Sequence, residues 1–303
     1  MLRYSVVVVT YNSGEAIAPC LEALAGEDCE IVVVDNASHD ATVRLVEEFA
    51  AWHEVRLLAN DRNLGFAAAA NRGAGETRGD ILLFLNPDAI AEPGAVNALR
   101  QCMEATHAAA AGGALLSSDG QPARGFAFRR LPTLTTLLFE TLLANRLWPR
   151  NPANRRYRCL DADYSQPQEI EQPAGACLAI TRQAWDQTGG FDEQFFPLWF
   201  EDVDLCRRLR ERGSKIVYCP IACFRHSGAH SVSKLSFRDK QIFWYTNMLR
   251  YARKHFSPGQ VRLLRAGIVA GMLLRSAAAL FGARQAPLGE TLAAYRAVIR
   301  EVK

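Results

Sequence analysis

The chain reads first as short, uninterrupted apolar runs separated by stretches of helical periodicity. Tyr4–Thr10 (YSVVVVT), Glu30–Val34 (EIVVV) and Ile81–Leu85 (ILLFL) are β-branched or aliphatic runs of the kind buried on both faces of a parallel sheet, and Val55–Ala59 reads as a further strand. Between them apolar positions recur at helical spacing, from Glu15 to about Leu24, over Ala41–Trp52, and through an Ala-rich stretch to about Thr77. This β-α-β-α-β-α-β order predicts a doubly wound α/β domain.

Three of the runs end in polar clusters: Thr10-Tyr11-Asn12, Asp35-Asn36-Ala37-Ser38 and Asn86-Pro87-Asp88. Ligands of open α/β sheets sit outside the carboxyl ends of the strands. Asp35 and Asp88 are therefore expected at a nucleotide crevice, with Asp88 placed to hold a metal ion or a phosphate-bearing ligand. The dinucleotide glycine fingerprint and the phosphate-loop lysine motif are both absent, which excludes the dehydrogenase and phosphate-loop NTPase readings.

Pro93 opens a helix to about Ala105. Residues 108–172 form a less regular, Arg- and Pro-bearing excursion expected over the site, with an amphipathic helix within Leu134–Leu147 and no residue assigned a role. A strand follows at 175–181, then an aromatic run, Phe195–Phe200, and a helix from Glu201 that stops at Gly213. Asp202, Leu205, Cys206 and Leu209 fall at i, i+3, i+4 and i+7, so Asp202 shares the inward stripe. Exposed amides of the first turn stabilise a carboxylate there. Glu201 and Asp204 can serve the helix terminus without facing inward, which leaves Asp202 for chemistry. Lys215–Cys219 is a further strand. Cys219, Cys223, His226 and His230 have spacing that invites zinc, but the strand alternation puts Cys219 in the core. His226, in a polar loop beside Gly228, is the better single ligand for a metal or phosphate.

From Ser236 the pattern is helical, over about 237–255, 259–282 and 288–302. The expected organisation is a catalytic unit, 1–235, and a C-terminal helical segment, 236–303. No uninterrupted apolar stretch of spanning length is present. Gly267–Phe281 is strongly apolar and flanked by basic residues, which fits an interfacial helix on an anionic membrane and also a helix packed on the body.

Charge sharpens this. The formal net charge is +3, yet residues 240–303 hold 11 Lys/Arg against 2 Asp/Glu, and residues 124–158 hold 8 Arg against one acid, Glu140. Two basic zones on an acidic body predict an anionic partner or surface. The eight cysteines are scattered, several within apolar patterns, and no signal-peptide anatomy is seen, so the expectation is a cytoplasmic protein without disulfides.

The ordered set SVVVVTYNS (5–13), VVVDNASHDAT (32–42), NLGFAAAANRG (63–73), FLNPDA (84–89), GACLAITR (175–182), GGFDEQFF (189–196), FEDVDLCRRL (200–209) and His226-Ser227-Gly228 resembles the family 2 inverting glycosyltransferases of GT-A fold, most closely their rhamnosyltransferase-like branch of bacterial polysaccharide assembly. The resemblance spans about 230 residues. It implies a nucleotide-diphosphate sugar donor, dTDP-L-rhamnose before a UDP- or GDP-sugar, and a glycan or polyprenyl-diphosphate-linked acceptor. It also implies Mg²⁺ or Mn²⁺, no nucleic-acid partner, and a peripheral place on the inner face of the plasma membrane. By the same resemblance Thr10, Tyr11 and Asn12 line base and ribose, and Asp35 accepts from the pyrimidine. Arg62, Asn63 and Gly65 border the nucleotide and diphosphate, with Asn71 on the next helix and Asn86 beside Asp88. Asp88 and His226 hold the metal, Asp202 is the general base, and Gly175, Ala176, Trp199 and Glu201 lie on the acceptor side.

The chemistry needs these types: a base for the attacking hydroxyl, and a hard cation on carboxylate oxygen for the leaving diphosphate. One departure stands out, since Asn86 occupies the place of the first acid in the usual metal motif. A sugar nucleotidyltransferase is disfavoured because Tyr11-Asn12-Ser13-Gly14-Glu15 carries no base for a triphosphate. A non-catalytic sugar-nucleotide-binding protein is disfavoured by the Asp88, Asp202 and His226 set.

Overall fold

The computed structural model describes residues 3–226, 228, 232 and 234–302. The apolar runs form β1 (Tyr4–Thr10), β2 (Cys29–Asp35), β3 (Val55–Ala59) and β4 (Ile81–Leu85), linked by α1 (Ile17–Ala25), α2 (Thr42–Ala50) and α3 (Phe66–Gly75). These four strands are parallel, as the pattern predicts. Every residue of β4 is buried. Helix α3 lies so close to the sheet that a Cβ on Gly73 would stand 2.5 Å from Val7 Cγ1.

After β4 come β5 (Ala89–Ala91), α4 (Ala95–Thr106) and β6 (Ala110–Leu116). The excursion holds β7 (Phe128–Arg129), α5 (Leu134–Thr141), α6 (Ala144–Leu147), α7 (Pro152–Tyr157), β8 (Gln168–Glu169) and β9 (Gln172–Pro173). Then follow β10 (Cys177–Thr181), α8 (Arg182–Thr188), α9 (Glu201–Glu211) and β11 (Ile216–His226). The main sheet runs β3-β2-β1-β4-β10-β6-β11-β5, with β8 on β11 and a separate β7-β9 ribbon. Strands β10 and β5 run antiparallel to their neighbours, so the sheet is mixed though mostly parallel.

Two expectations are corrected here. The strand begun at Lys215 does not stop at Cys219. Pro220 has no N–H for the ladder, and the register shifts between Cys219 and Cys223 before pairing with β6 resumes. His226 therefore ends a strand rather than sitting in a loop. The cysteines are not all free, because Cys102 of α4 and Cys219 of β11 form a disulfide across 117 residues. That bond removes Cys219 from any zinc set, and His230 lies outside the described residues.

The C-terminal helices are α10 (Phe237–His255), α11 (Pro258–Leu280) and α12 (Leu288–Glu301). Their apolar stripes form a second core, in which Met248, Leu264, Ile268, Met272 and Val298 meet Phe195, Phe200 and Val203 of the sheet-bearing body. Over α11 an 18-residue window has mean hydropathy 1.6, enough by length and composition to cross a membrane, and a third of it is buried against protein. The helix matches the one expected over about 259–282, but the expectation that no stretch has spanning length and composition is corrected, since Arg275 and Ser276 interrupt the run without bringing its hydropathy below that level. Arg275 is half-buried and bonds back to the body, to Glu140 O at 3.0 Å.

The two cores are tied by Asp204, which is fully buried in the first turn of α9. It accepts from Arg208 Nε at 2.8 Å and contacts His255 Nε2 at 2.7 Å and Lys254 Nζ at 2.9 Å, the latter two on α10. Burial works to raise its pKa, but the bonds from His255 and Lys254 and the Arg208 charge outweigh this and hold it below the usual carboxylate value. The resulting stability is full above the unfolded carboxyl value of about 3.9 and is lost as pH falls through the lower folded one. Asp204→Asn should therefore cost about 3–5 kcal/mol at pH 7, because the buried Arg208 and Lys254 contacts lose their carboxylate. Thermal melts should show the gap to wild type closing as pH falls below about 4.

Candidate active site

Strand register assembles the site. Thr10 pairs with Asp35, and Val8 pairs with Leu85, so β1, β2 and β4 end along one edge. β10 runs the other way, which brings Gly175-Ala176 to that edge, and Asn86 N donates to Ala176 O at 3.0 Å. β11 pairs with β5 so that His226 faces Ala89, next to Asp88 in the chain.

These ends open into a cavity of about 480 Å³. Of the expected residues, Thr10, Tyr11, Asn63, Asn86, Asp88, Gly175, Ala176, Trp199, Glu201, Asp202 and His226 line it. Asn12, Asp35, Arg62, Gly65 and Asn71 do not. Asp35 is buried, and its carboxylate accepts from Thr10 Oγ1 and Ser38 N, each at 2.8 Å, so it braces the turn after β1. Asn12 joins the same brace, its Oδ1 accepting from His39 N. Its neighbour Asn36 reaches the wall instead and bonds Gly65 O and Asn60. Asn71 bonds both backbone groups of Phe191 and ties α3 to the Gly190 turn. Arg62 is exposed. Gly65 has φ 82° and lies against Phe196 and Pro197, where a Cβ would collide.

Asp88 is 6% exposed, and His226 Nε2 stands 3.3 Å from its Oδ1, within ion-pair reach but without hydrogen-bond geometry. His226 Nε2 is buried with no hydrogen-bond partner, an orphan nitrogen beside a carboxylate oxygen. That pair suits one divalent cation as a nitrogen and an oxygen donor. No cluster of three or more His, Cys, Asp or Glu suited to a metal occurs among the described residues, consistent with Asn86 in place of an acid.

Asp202 lies on the first turn of α9 and faces the cavity. Its Oδ2 accepts from Gly175 N at 3.0 Å and from Gln172 Nε2 at 3.5 Å, and its Oδ1 from Val203 N at 2.8 Å. Burial raises its pKa, against the pull of these bonds and of the Arg129 charge. A carboxylate with a raised pKa in a cleft is a proton acceptor matched to a hydroxyl. Glu201 and Asp204 do not stay outside as the helix pattern implied; both are buried. Burial, and then the Asp202 charge, push the Glu201 carboxyl well above the usual range, which favours its neutral form. Its Oε2 is buried without a partner. Trp199 and Phe200, just before α9, have φ 76° and 75°, a conformation costly for aromatic residues. Asn247 of α10 holds that segment by donating to Phe196 O and Leu198 O, and Trp244 packs on both rings.

The excursion supplies wall residues that sequence reasoning missed: Phe126, Arg129, Tyr157, Arg158 and Gln172. The signal available was the run of arginines at 124–158. A larger groove of about 840 Å³ lies behind β7 and α7 but contains none of the expected residues, and its Arg130, Arg155 and Arg210 are paired with acids.

With this geometry, the relatives are informative. Residues 5–159 match Glycosyl transferase family 2, and residues 155–228 match the N-terminal domain of galactosyltransferase. Solved structures superpose on nearly the whole chain. Staphylococcus aureus TarS 1-349 gives a TM-score of 0.58 at 16% identity, covering 99% of this chain and 80% of that one. The Pyrobaculum calidifontis mannosyltransferase PcManGT, in complex with GDP-Man and Mn²⁺, gives 0.57 at 18% identity, covering 99% and 84%. The fold is GT-A, the architecture of a class of glycosyltransferases. The chain belongs to glycosyl transferase family 2. It is 33% identical over 245 residues to the N-acetylglucosaminyl-diphospho-decaprenol L-rhamnosyltransferase of Mycobacterium tuberculosis, across 76% of this chain and 77% of that protein. It is also 40% identical over 159 residues to the succinoglycan biosynthesis protein ExoO of Rhizobium meliloti, across 50% of this chain and 44% of that protein.

The contact between Gly175 and Asp202 gives a direct test. A Cβ at Gly175 would stand 3.1 Å from Asp202 Oδ2. Gly175→Val should push that carboxylate aside and lower kcat about 10²-fold, as ångström displacements of catalytic groups do. Calorimetry should find nucleotide affinity within twofold of wild type.

Proposed function

We propose that the protein is an inverting transferase that moves L-rhamnose from dTDP-L-rhamnose to a hydroxyl of a polyprenyl-diphosphate-linked sugar. The observation that carries this reading is that Asp202, a half-buried carboxylate of raised pKa, opens into the same cavity as the Asp88–His226 pair. The likeness to a rhamnosyltransferase acting on a diphospho-decaprenol substrate supports the donor and the acceptor class.

Asp202 takes the proton of the acceptor hydroxyl as its oxygen attacks the anomeric carbon, and the bond to the diphosphate breaks on the far side. A single displacement of this kind inverts the anomeric centre. Gly175 and Val203 N–H groups fix the carboxylate's direction. Thr10, Tyr11, Asn36 and Asn63 border the nucleotide, while Asp35, Asn12 and Asn71 shape it from behind. Asp88 and His226 would hold Mg²⁺ or Mn²⁺, which when bound neutralises charge on the diphosphate. Gly175, Ala176, Trp199 and Glu201 border the acceptor, and a neutral Glu201 can donate a hydrogen bond to it.

Asp202→Asn should lower transfer by about 10²–10⁴-fold while dTDP affinity stays within a few-fold. Because the folded pKa of Asp202 is raised, its ionisation costs stability at neutral pH, so the variant should melt no lower than wild type. The acid limb of kcat should lie above the ordinary aspartate value of about 3.9, activity falling as pH drops through the Asp202 pKa. Retained transfer in the Asn variant removes Asp202 as base.

The C-terminal helices support a peripheral membrane location on the cytoplasmic face. One stripe of α11 is buried on the body, while Leu263, Leu273, Leu274 and Leu280 are exposed and Phe281, just after it, is 91% exposed. Basic residues flank this strip. Full-length protein should sediment with vesicles containing anionic lipid. Joint Leu274→Glu and Phe281→Glu substitution should release it without changing its melting temperature by more than a few degrees, since both side chains already face water.

A further inference from the structure

We propose that Arg129 is a further catalytic residue, whose guanidinium holds the leaving nucleoside diphosphate beside Asp88 and His226. The inference rests on the transfer reaction proposed above. It starts from a shortage of cationic support: Asn86 replaces an acid, and the described residues hold no three-ligand metal cluster. A departing diphosphate still needs its growing charge met.

Arg129 stands on the right wall to meet it. Its Nε donates to Gly125 O at 2.8 Å, which fixes the plane of the guanidinium and leaves its terminal nitrogens for a ligand. The guanidinium lies 5.7 Å from the Phe126 ring and 5.8 Å from the Tyr157 ring. Phe126 in turn stacks on the His226 imidazole, with centroids 5.4 Å apart and planes within 9°. Asp88, His226, Phe126 and Arg129 thus form one continuous run along the cavity wall. On its other side Arg129 is cross-strand from Gln172, whose amide reaches Asp202. The guanidinium therefore sits between the diphosphate end of the cavity and the base.

Its neighbours show why it differs from an ordinary surface arginine. Arg130, Arg155 and Arg210 each pair with a carboxylate in the outer groove. Arg129 has no carboxylate at ion-pair distance among the described residues, although it lines a half-closed cavity. A planar fork with free N–H groups binds diphosphate oxygens in pairs. When the anomeric bond breaks, its electron pair goes to the diphosphate oxygen, and Arg129 stabilises that charge without transferring a proton.

The diphosphate of a lipid-linked acceptor has the same chemistry, so the experiment has two arms. Full-length wild type, Arg129→Met and Arg129→Lys are titrated calorimetrically with dTDP and, separately, with farnesyl-diphosphate-linked N-acetylglucosamine. Arg129→Met should weaken dTDP about tenfold to a hundredfold, the usual range for a lost charge-assisted bond, with dTMP affected less. Arg129→Lys should recover part of the loss, since it restores charge without the fork. In turnover, Arg129→Met should lower kcat and move its acid limb to higher pH, because Asp202 loses a nearby positive charge. An unchanged dTDP affinity overturns the proposal, as does a loss confined to the farnesyl arm. Wild type that binds no dTDP at all sinks the dTDP-L-rhamnose reading on which the proposal rests.

Discussion

The burial of Asp204 is the constraint on which the rest of the structure depends. Asp204 has no exposed surface, and a carboxylate so placed is tolerated only when cations or hydrogen-bond donors compensate it. Here the compensation comes from Arg208 of its own helix and from Lys254 and His255 of α10, with Lys254 separated from Asp204 by 50 positions in the chain. Satisfying Asp204 fixes the rotation of α9 about its axis. That rotation turns Asp202 toward the cavity and leaves Glu201 buried beside it. The same contact docks α10, which then braces the aromatic segment before α9 through Asn247 and Trp244. The strained backbone at Trp199 and Phe200 persists because this surrounding structure holds it.

The sheet supplies the other half of the site by register. Parallel pairing of β1, β2 and β4 brings their carboxyl ends to one edge, while antiparallel β10 returns Gly175 to that edge from the opposite direction. The long strand β11 delivers His226 to Asp88 only because it resumes after the interruption at Pro220. The cavity is thus bordered by the carboxyl edge of the sheet and by an excursion whose short elements hang from the β7-β9 ribbon and α7. Family 2 membership fits this division, and the proposed transfer uses the sheet edge for the sugar nucleotide and the excursion side for the acceptor.

Much of the fold was legible because its signals are local. Three buried strands and the half-exposed edge strand β3, the helices between them and the three C-terminal helices follow from apolar periodicity, which burial on a sheet or in a bundle imposes directly on the chain. Asp88 was legible because it directly follows an apolar strand, and Asp202 because helical spacing placed it with Leu205, Cys206 and Leu209. The same spacing misread Glu201 and Asp204 as outward, since periodicity cannot show that a partner helix will arrive to cover Asp204 or that tertiary packing will bury Glu201. The strand through His226 was cut short because Pro220 breaks a pattern that tertiary pairing restores. Cys102 and Cys219 showed no relation, because 117 residues separate them and only the packing of α4 on β11 makes them neighbours.

What the sequence determined alone was therefore the set of elements, their order, and the chemical types at strand and helix ends, since these depend on each residue's immediate neighbours in the chain. The tertiary structure decided which polar ends face one another. It assigned Asp35 to bracing and Asn36 to the wall, joined Asp88 to His226, and carried Arg129 and Gln172 from an irregular stretch to the side of Asp202. Those placements rest on strand register, on compensation of buried charge and on long-range packing, and none of these is written in a local pattern.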